Sequence, residues 1–300
     1  MLRGDSVPSF KHDRVTPAQI IILGFLLLIL LGSLCLTLPL ATRDGQGASF
    51  LDALFTSTSA VCVTGLVLHD TALYWSPFGQ LVILLLIQVG GMGVVTIAVA
   101  IFMFAGKRIG LKQRWVMQES ISAPQVGGIV RMTGFILKTA FLIEGIGALL
   151  LALRFCPQFG LGRGLWYAVF HSVSAFCNAG FDLMGVNSPF SSLTDYVGDP
   201  LVSNVIPFLI IIGGVGFLTW NDIREHKLHF RRYRLQSKLI LTTTLALILT
   251  GLLFFLLYEF EQGQWVDMSL WERINAAFFQ SVTPRTAGFN TVDLTEKTRR

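Results

Sequence analysis

The sequence predicts an all-α polytopic membrane protein that is built from repeated helix–pore-loop–helix units. The first observation is composition: 53% of the 300 residues are hydrophobic, 14% are charged, and the mean hydropathy is +0.64. A chain of this composition must place much of its surface against lipid. The second observation is a set of long uncharged runs, and the third is a short phrase that occurs three times between them.

Five stretches are long and apolar enough to cross a bilayer as helices. A helix needs about 20 apolar residues to cross roughly 30 Å of hydrocarbon. The first stretch exceeds the apolar region of a secretory signal and lacks a small-residue cleavage site, so we expect it to remain in the protein. The five predicted spans are residues 16–40, 77–105, 129–153, 204–220 and 239–258.

Three shorter segments, residues 49–60, 164–176 and 270–283, are weakly apolar and lie beside these spans. At about 12 residues, a segment of this kind is too short to cross the membrane and is typical of a re-entrant helix. The sequence therefore predicts three short helices that enter the membrane and return through a loop on the same side.

The recurring phrase overlaps these re-entrant segments. Its first two copies, residues 54–65 and 169–180, share Phe, two Ser, Ala, Cys and Gly at identical offsets. The third copy, residues 278–288, matches around Phe, Ser and the final Gly with one residue deleted. A repeated short hairpin inside a membrane protein indicates a symmetric pore.

Glycine runs at residues 90–93 and 213–216 form a second repeat in the same order. Their ordinary role is close helix packing, because small residues let helix backbones approach in membranes. A hinge, or room for a neighbouring loop, is the alternative. Together with the recurring phrase, the glycine runs indicate duplication of a whole unit.

The repeats divide the chain into units joined by linkers. The predicted parts are a cytoplasmic amino terminus (1–16), a first unit (17–105), a cytoplasmic linker (106–128), a second unit (129–221), a basic cytoplasmic linker (222–237) and a partial third unit (238–300). Because a re-entrant loop without its second helix would leave polar backbone facing lipid, we expect the natural protein to continue with a further helix and a fourth unit.

Charge predicts the orientation of these units. The linkers 106–128 and 222–237 carry more Lys and Arg than Asp and Glu, so both should be cytoplasmic. The segments around the re-entrant helices are acidic and should face outward. These linkers account for much of the net charge of +5, which leaves little support for nucleic-acid binding. The basic run 231–234 is interpreted as an orientation signal, with a docking surface for a cytoplasmic partner as the alternative.

The loops after the re-entrant helices have the chemistry of a cation pathway. A cation that enters a narrow pore loses water, and backbone carbonyls can replace that shell. Glycine permits the required torsions, and the carboxyl end of a short helix directs partial negative charge at the ion. The candidate ion-binding residues are Val63, Thr64, Gly65, Asn178, Ala179, Gly180, Thr286, Ala287 and Gly288.

Two charged residues are candidates for supporting these loops. Arg285 is the only charged loop residue, and we expect it to point away from the pore and to pair with a carboxylate or cap helix carbonyls. Glu144 is the most isolated acidic residue within a span and needs a partner. We expect Arg or donors of a re-entrant helix beside it. Structural stabilisation is favoured for Glu144, and a role in permeation is the alternative.

Neither the cysteines nor the histidines predict a transition-metal site. The four cysteines lack CxxC spacing, and the five histidines form no convincing ligand set. His171 aligns with Thr56 and Gln280 in the other copies of the phrase, which predicts a polar position on each re-entrant helix. The sequence thus predicts no cofactor in this chain.

The phrases around Gly65, Gly180 and Gly288 resemble those of the Trk/Ktr/HKT superfamily of potassium and sodium transporters. Residues 285–290 are especially similar to the third loop of the bacterial Ktr-type (KtrB-like) membrane subunit, and the resemblance extends over residues 17–294. It implies four units in one chain around a pseudo-fourfold pore. The first helix starts without the extra amino-terminal helix pair of Trk-type members, which favours the Ktr branch.

The resemblance implies potassium uptake across the cell membrane through a selectivity filter of backbone carbonyls. Gly65 resembles the residue of potassium-selective members rather than the serine of some plant transporters. A sodium-conducting or sodium/potassium-coupled transporter is the alternative. A polytopic membrane enzyme would need a site built from Glu144 and the histidines, and the sequence contains no HExxH motif in its favour.

The resemblance also implies partners and a location. We expect a multi-pass protein of the inner (plasma) membrane, in contact with lipid, with its amino terminus in the cytoplasm. The expected assembly is a homodimer bound by a cytoplasmic nucleotide-binding regulatory subunit (KtrA-like). The transported ion would be K⁺, with Na⁺ as the alternative, and nucleotide would bind the partner rather than this chain.

Overall fold

A computed structural model describes residues 16–94, 96–98, 101, 110–120, 129–227, 229–258, 265 and 268–292. Over these ranges the chain is built from helices and connecting loops, with one isolated antiparallel bridge between Thr42 and Trp75. The predicted all-α class with repeated units is confirmed.

The helices follow the predicted order of long and re-entrant segments. The first unit contains α1 (Pro17–Leu36), α2 (Phe50–Val61), the short α3 (Thr71–Tyr74) and α4 (Pro77–Met92), and α5 (Leu111–Ser120) follows in the linker. The second unit contains α6 (Ile129–Phe159), α7 (Leu161–Phe176), α8 (Val202–Gly214) and α9 (Phe217–His226). The third unit contains α10 (Leu235–Tyr258) and α11 (Leu270–Val282).

Three of the described helices are long and apolar enough to cross a membrane: α1, α10 and the Val130–Phe159 part of α6. Their apolar side chains are largely unburied. Only 17% of the most apolar stretch of α1, and 11% of that of α10, is buried inside the protein. Exposed leucines on a helix of this length require lipid around them.

The spans predicted at 77–105 and 204–220 are not single helices. Helix α4 ends at Met92, and Gly93 follows with φ of 83°; most of 95–105 lies outside the described residues. Helices α8 and α9 meet at Gly216, with φ of 82°, and their axes differ by 91°. Hydropathy continues through both sites, but a left-handed glycine ends the helical hydrogen-bond pattern.

The starts of the re-entrant helices have local causes. Ser49 accepts a hydrogen bond from the Asp52 N–H at the start of α2, and Ser269 forms a capping box with Glu272 at the start of α11. These hydroxyls satisfy N–H groups that have no partner within the helix. Helix α7 instead follows α6 directly, through Gly160 with φ of 82°.

Each of the first two long helices holds its re-entrant helix by the same contact. The Ser57 hydroxyl of α2 donates to the Ile29 carbonyl of α1 at 2.8 Å, and the Ser172 hydroxyl of α7 donates to the Glu144 carbonyl of α6 at 2.6 Å. The identical contact in two units shows that the repeat in sequence is also a repeat in structure.

The basic linker forms an ordered turn between α9 and α10. The Asp222 carboxylate is 1% exposed, accepts from the Arg234 N–H at 3.0 Å and the Ser237 hydroxyl at 2.7 Å, and lies 3.4 Å from the Arg234 guanidinium. Arg231 and Arg232 remain exposed. One arginine of the basic run is therefore structural, and the other two are available to the aqueous phase or to a headgroup layer.

Candidate functional site

Each re-entrant helix ends where a candidate loop begins. Loop one (residues 61–65), loop two (176–180) and loop three (284–288) lie at the carboxyl ends of α2, α7 and α11. The final carbonyls of a helix carry partial negative charge. All three helices therefore direct that charge into the loops that follow them.

The three loops share one backbone conformation. The last residue of each loop is a glycine with positive φ: 76° at Gly65, 70° at Gly180 and 80° at Gly288. Two positions earlier, each loop has a non-glycine residue in the left-handed region: Val63 (54°), Asn178 (59°) and Thr286 (70°). Non-glycine residues rarely adopt this region, and such strain persists where the surrounding structure enforces it. Its recurrence at three equivalent positions indicates a shared role.

Matching hydrogen bonds enforce this conformation. The N–H of the residue before each glycine donates back to the end of its helix: Thr64 to the Ser59 carbonyl at 2.9 Å, Ala179 to Ser174 at 2.7 Å, and Ala287 to Thr283 at 3.0 Å. The third of these turns is one residue shorter, which locates the deletion seen in the sequence.

Hydroxyl groups of the phrase hold the outgoing chain in loops two and three. The Ser174 hydroxyl donates to the Phe181 carbonyl at 2.7 Å, and the Thr283 hydroxyl donates to the Phe289 carbonyl at 2.5 Å. In loop one the equivalent hydroxyl, on Ser59, instead accepts from Thr64 at 3.1 Å. The second Ser of the phrase is thus explained by its contact with its own loop.

The loops lie side by side, with loop two between loops one and three. A Cβ on Gly65 would lie 2.5 Å from the Ala179 carbonyl oxygen, and a Cβ on Gly180 would lie 2.4 Å from the Ala287 carbonyl oxygen. Both distances are shorter than any real Cβ contact, so only glycine fits. The structure thus brings the candidate residues of all three units to one place, with backbone carbonyls beside the glycines.

The glycine runs make room for the loops. A Cβ on Gly90 of α4 would lie 2.1 Å from the Val61 carbonyl oxygen, and one on Gly213 of α8 would lie 1.8 Å from the Phe176 carbonyl oxygen. Gly91 also lies against Cys177 of loop two. Helices α4 and α8 therefore support the carboxyl ends of α2 and α7 by direct backbone contact. The glycine runs thus allow close helix packing and also leave room for the neighbouring loops.

Arg285 is directed at α10. Its Nη2 donates to the Thr244 hydroxyl at 2.9 Å, in place of the carboxylate or helix carbonyl that we expected. Nη1 is buried and has no partner among the described residues. Thr244 lies on α10, the long helix that packs against α11. This contact therefore connects loop three to the long helix of its own unit.

Glu144 joins two units behind the loops. Its carboxylate, on α6, accepts from the Gln88 amide of α4 at 2.9 and 3.2 Å, and the residue is 4% exposed. No arginine among the described residues takes part in this contact. Of the re-entrant helices in the described chain, α7 supplies a donor, but the Ser172 hydroxyl donates to the Glu144 backbone carbonyl and not to its carboxylate. The equivalent position in the first unit, identified by the matching serine contact, is Ile29.

His171 has a role that sequence reasoning missed. Its ring is fully buried, with Nδ1 2.7 Å from the Tyr167 carbonyl oxygen and Nε2 3.3 Å from the Leu183 N–H. These partners assign the neutral tautomer with the proton on Nδ1. The ring therefore connects α7 to the chain that leaves loop two. Its alignment with Thr56 and Gln280 was the available signal, but it indicated polarity only.

Among the described residues, no group of three His, Cys, Asp or Glu side chains could hold a metal ion. The loops themselves place backbone carbonyls beside the glycines and lie at the carboxyl ends of helices.

Comparison with protein families gives a match over nearly the whole chain. The family model described as "TrkH: Cation transport protein" matches residues 10–298. The solved structure of the potassium transporter TrkH from Vibrio parahaemolyticus is similar with a TM-score of 0.63 at 20% identity, over 94% of this chain and 53% of that chain. At this identity the likeness concerns the fold.

Curated relatives are closer in sequence. The chain is 42% identical to the potassium/sodium uptake protein NtpJ of Enterococcus hirae, over 94% of this chain and 61% of that protein. It is 43% identical to the Ktr system potassium uptake protein B of Bacillus subtilis, over 94% and 62%, and 37% identical to that of Vibrio alginolyticus, over 98% and 64%. The chain thus spans less than two thirds of the length of these relatives.

Proposed function

The chain belongs to the TrkH family of cation transport proteins, and we propose that it carries potassium into the cell through a pore lined by backbone carbonyls of its three loops. Relatives named as potassium or potassium/sodium uptake proteins support this choice of ion. The family consists of transporters, so the proposed activity is transport rather than catalysis.

One observation carries the proposal: the three loops share one backbone conformation, with the Ala179 carbonyl against Gly65 and the Ala287 carbonyl against Gly180. Carbonyls held in a ring can replace the water around a cation without any titratable group. The proposed ion-binding positions are the three residues that end each loop, as predicted from the sequence: 63–65, 178–180 and 286–288.

The membrane potential supplies the driving force in this proposal. Moving one charge through 100 mV is worth about 2.3 kcal/mol. An inside-negative potential can therefore accumulate K⁺ without ATP hydrolysis by this chain. The proposal requires the orientation predicted from charge, with the basic linkers and the amino terminus in the cytoplasm. The proposed location is the inner (plasma) membrane.

Arg285 and Glu144 support the pore in this proposal without contacting the ion. The bond from Arg285 to Thr244 keeps a positive charge directed toward α10, where it repels entering cations less. Glu144 links Gln88 of the first unit to α6 of the second, so it stabilises the packing behind loop two. Direct participation of Glu144 in ion permeation is the less favoured role, because its carboxylate is buried among helices.

The proposed assembly is a homodimer with a cytoplasmic nucleotide-binding regulatory subunit. Relatives named as parts of a Ktr system support a multi-component transporter. The exposed Arg231 and Arg232 are candidates for contact with that subunit or with anionic lipid. Unchanged binding of the regulator after deletion of residues 231–234 would exclude this surface as its docking site.

A sodium-conducting or sodium/potassium-coupled transporter is the second candidate, favoured by the name of one relative, the potassium/sodium uptake protein NtpJ. Uptake measured under separate potassium and sodium gradients distinguishes the two. Potassium uptake that proceeds without sodium supports the leading proposal, and uptake that requires both ions supports coupling.

The proposal is tested by rescue of a potassium-uptake-deficient cell. Wild type is compared with Gly65→Ser and Gly288→Ser, which place a side chain at left-handed loop positions. We expect rescue by wild type, and reduced uptake or altered selectivity in both variants. Equal uptake and unchanged selectivity in all three proteins would refute the assignment of these loops as the filter.

A further inference from the structure

A short segment of the second unit, residues 188–193, contacts the other two units on the side where the chain leaves the loops; we call it the clasp. Its contact with the first unit is the Phe190 N–H, which donates to Asp70 Oδ2 at 2.8 Å. Asp70 Oδ1 accepts from the N–H groups of Ala72 and Leu73 at 2.9 and 3.0 Å. A buried carboxylate thus receives three backbone donors from two units.

The contact with the third unit is equally direct. The Leu193 N–H donates to the Asn290 carbonyl at 2.8 Å, and the Asn290 N–H donates to the Ser192 hydroxyl at 3.1 Å. Asn290 is the second residue after Gly288, and Asp70 is the fifth after Gly65. The clasp therefore connects the segment that follows loop one to the segment that follows loop three.

The backbone of the clasp is strained at both contacts. Phe190 has φ of 58° and Ser192 has φ of 49°, in the left-handed region that L side chains rarely adopt. The Phe190 side chain is 61% exposed, so packing of that side chain does not impose the conformation. The hydrogen bonds to Asp70 and Asn290 enforce it, together with those of Ser191, which donates from its N–H to the Ser188 carbonyl at 3.1 Å and from its hydroxyl to the Met184 carbonyl at 3.3 Å.

We propose that Asp70 is a positioning residue for ion selectivity: it anchors the clasp and thereby sets the spacing of loops one and three. This inference rests on the proposed function of the loops as a filter. Carbonyls discriminate ions only when their separation and stiffness are maintained. Asp70 does not contact the ion, and acts through the Phe190 N–H and the backbone of Asn290.

The test is Asp70→Asn in the complete protein, because an amide offers one acceptor oxygen to the three N–H donors. Asp44→Asn is the matched control, since Asp44 is an exposed carboxylate of the first unit whose donors among the described residues, Thr42 and Gln46, belong to its own loop. Ser192→Ala is a second variant, which removes the acceptor of the Asn290 N–H at the other end of the clasp.

Two measurements are made on each variant: the ratio of K⁺ to Na⁺ uptake per protein in the membrane, and amide hydrogen exchange by mass spectrometry. We expect Asp70→Asn to accelerate exchange by about tenfold or more in the clasp and around Asn290, and to lower the K⁺/Na⁺ ratio by about tenfold. Ser192→Ala should change both in the same direction, and Asp44→Asn neither.

A wild-type ratio in Asp70→Asn, or unchanged exchange around Asn290, would overturn the inference. If Asp70→Asn does not reach the membrane, Ser192→Ala decides: a lowered ratio supports the clasp and a wild-type ratio overturns it. Failure of the wild-type protein to take up K⁺ is a different result. It refutes the proposed function, whereas exchange around Asn290 in Asp70→Asn still tests whether the clasp connects the units.

Discussion

Replacement of Gly180 by alanine tests whether contact between neighbouring loops sets their function. Gly180 has φ of 70°, and an alanine Cβ would lie 2.4 Å from the Ala287 carbonyl oxygen. Unbonded heavy atoms prefer about 3.5 Å, so this carbonyl must move by roughly 1 Å. The left-handed conformation adds about 1–2 kcal/mol for an L side chain.

A carbonyl ring that has lost its spacing should discriminate ions poorly. We expect Gly180→Ala to lower the ratio of K⁺ to Na⁺ uptake by about tenfold or more, because one proposed coordinating carbonyl, that of Ala287, is displaced by roughly 1 Å. The assay is uptake of each ion into cells that lack other potassium uptake systems, normalised to the amount of protein in the membrane.

Gly45→Ala is the control for backbone strain. Gly45 has φ of 71°, and an added Cβ would meet no atom within 4 Å. Both variants therefore impose the same conformational cost, but only Gly180→Ala pushes on a neighbouring loop. A wild-type ratio in Gly180→Ala would refute the reasoning. An equal change in both variants would also refute it, since strain alone would then explain the effect.

Three further predictions concern stability. Gln88→Leu should lower the free energy of unfolding by about 2–3 kcal/mol, because the buried Glu144 carboxylate loses its donor; thermal unfolding in detergent measures this, and Gln88→Leu with Glu144→Leu should recover part of the loss. Burial raises the pKa of the Asp182 carboxyl to about 6, so the folded protein binds this proton more tightly than the unfolded chain. Its contribution to stability should be full below about pH 4 and lost as pH rises through about 6; Asp182→Asn should remove this dependence, and an unchanged pH profile would contradict the assignment. Ser57→Ala and Ser172→Ala should each cost about 1 kcal/mol, and a large difference between them would contradict the equivalence of the two units.

The sequence was sufficient for three long helices, the three re-entrant helices and the position of the loops. Hydropathy and length placed α1, α6 and α10, since a lipid-facing helix must be apolar along its whole crossing. The recurring phrase placed α2, α7 and α11, because each copy ends in a loop whose final glycine has positive φ. These signals are local, so they can be read from consecutive residues.

Local signals were insufficient where a helix ends inside an apolar run. Gly93 and Gly216 break α4 and the α8–α9 pair, yet apolar residues continue directly after each glycine, at 94–95 and 217–218. The sequence also did not predict the partner of Arg285, because Thr244 lies on another helix. In both cases the outcome depends on torsions and neighbours that composition does not specify.

By itself, the sequence determined that this protein crosses the membrane repeatedly and presents three equivalent glycine loops between its helices. Only the tertiary structure decided that loop two lies between the other two, that Asp70 and Asn290 are joined through residues 188–193, and that Glu144 meets Gln88. The physical reason is that hydropathy and the recurring phrase are patterns of consecutive residues, whereas these contacts join residues of different units, which only packing brings together.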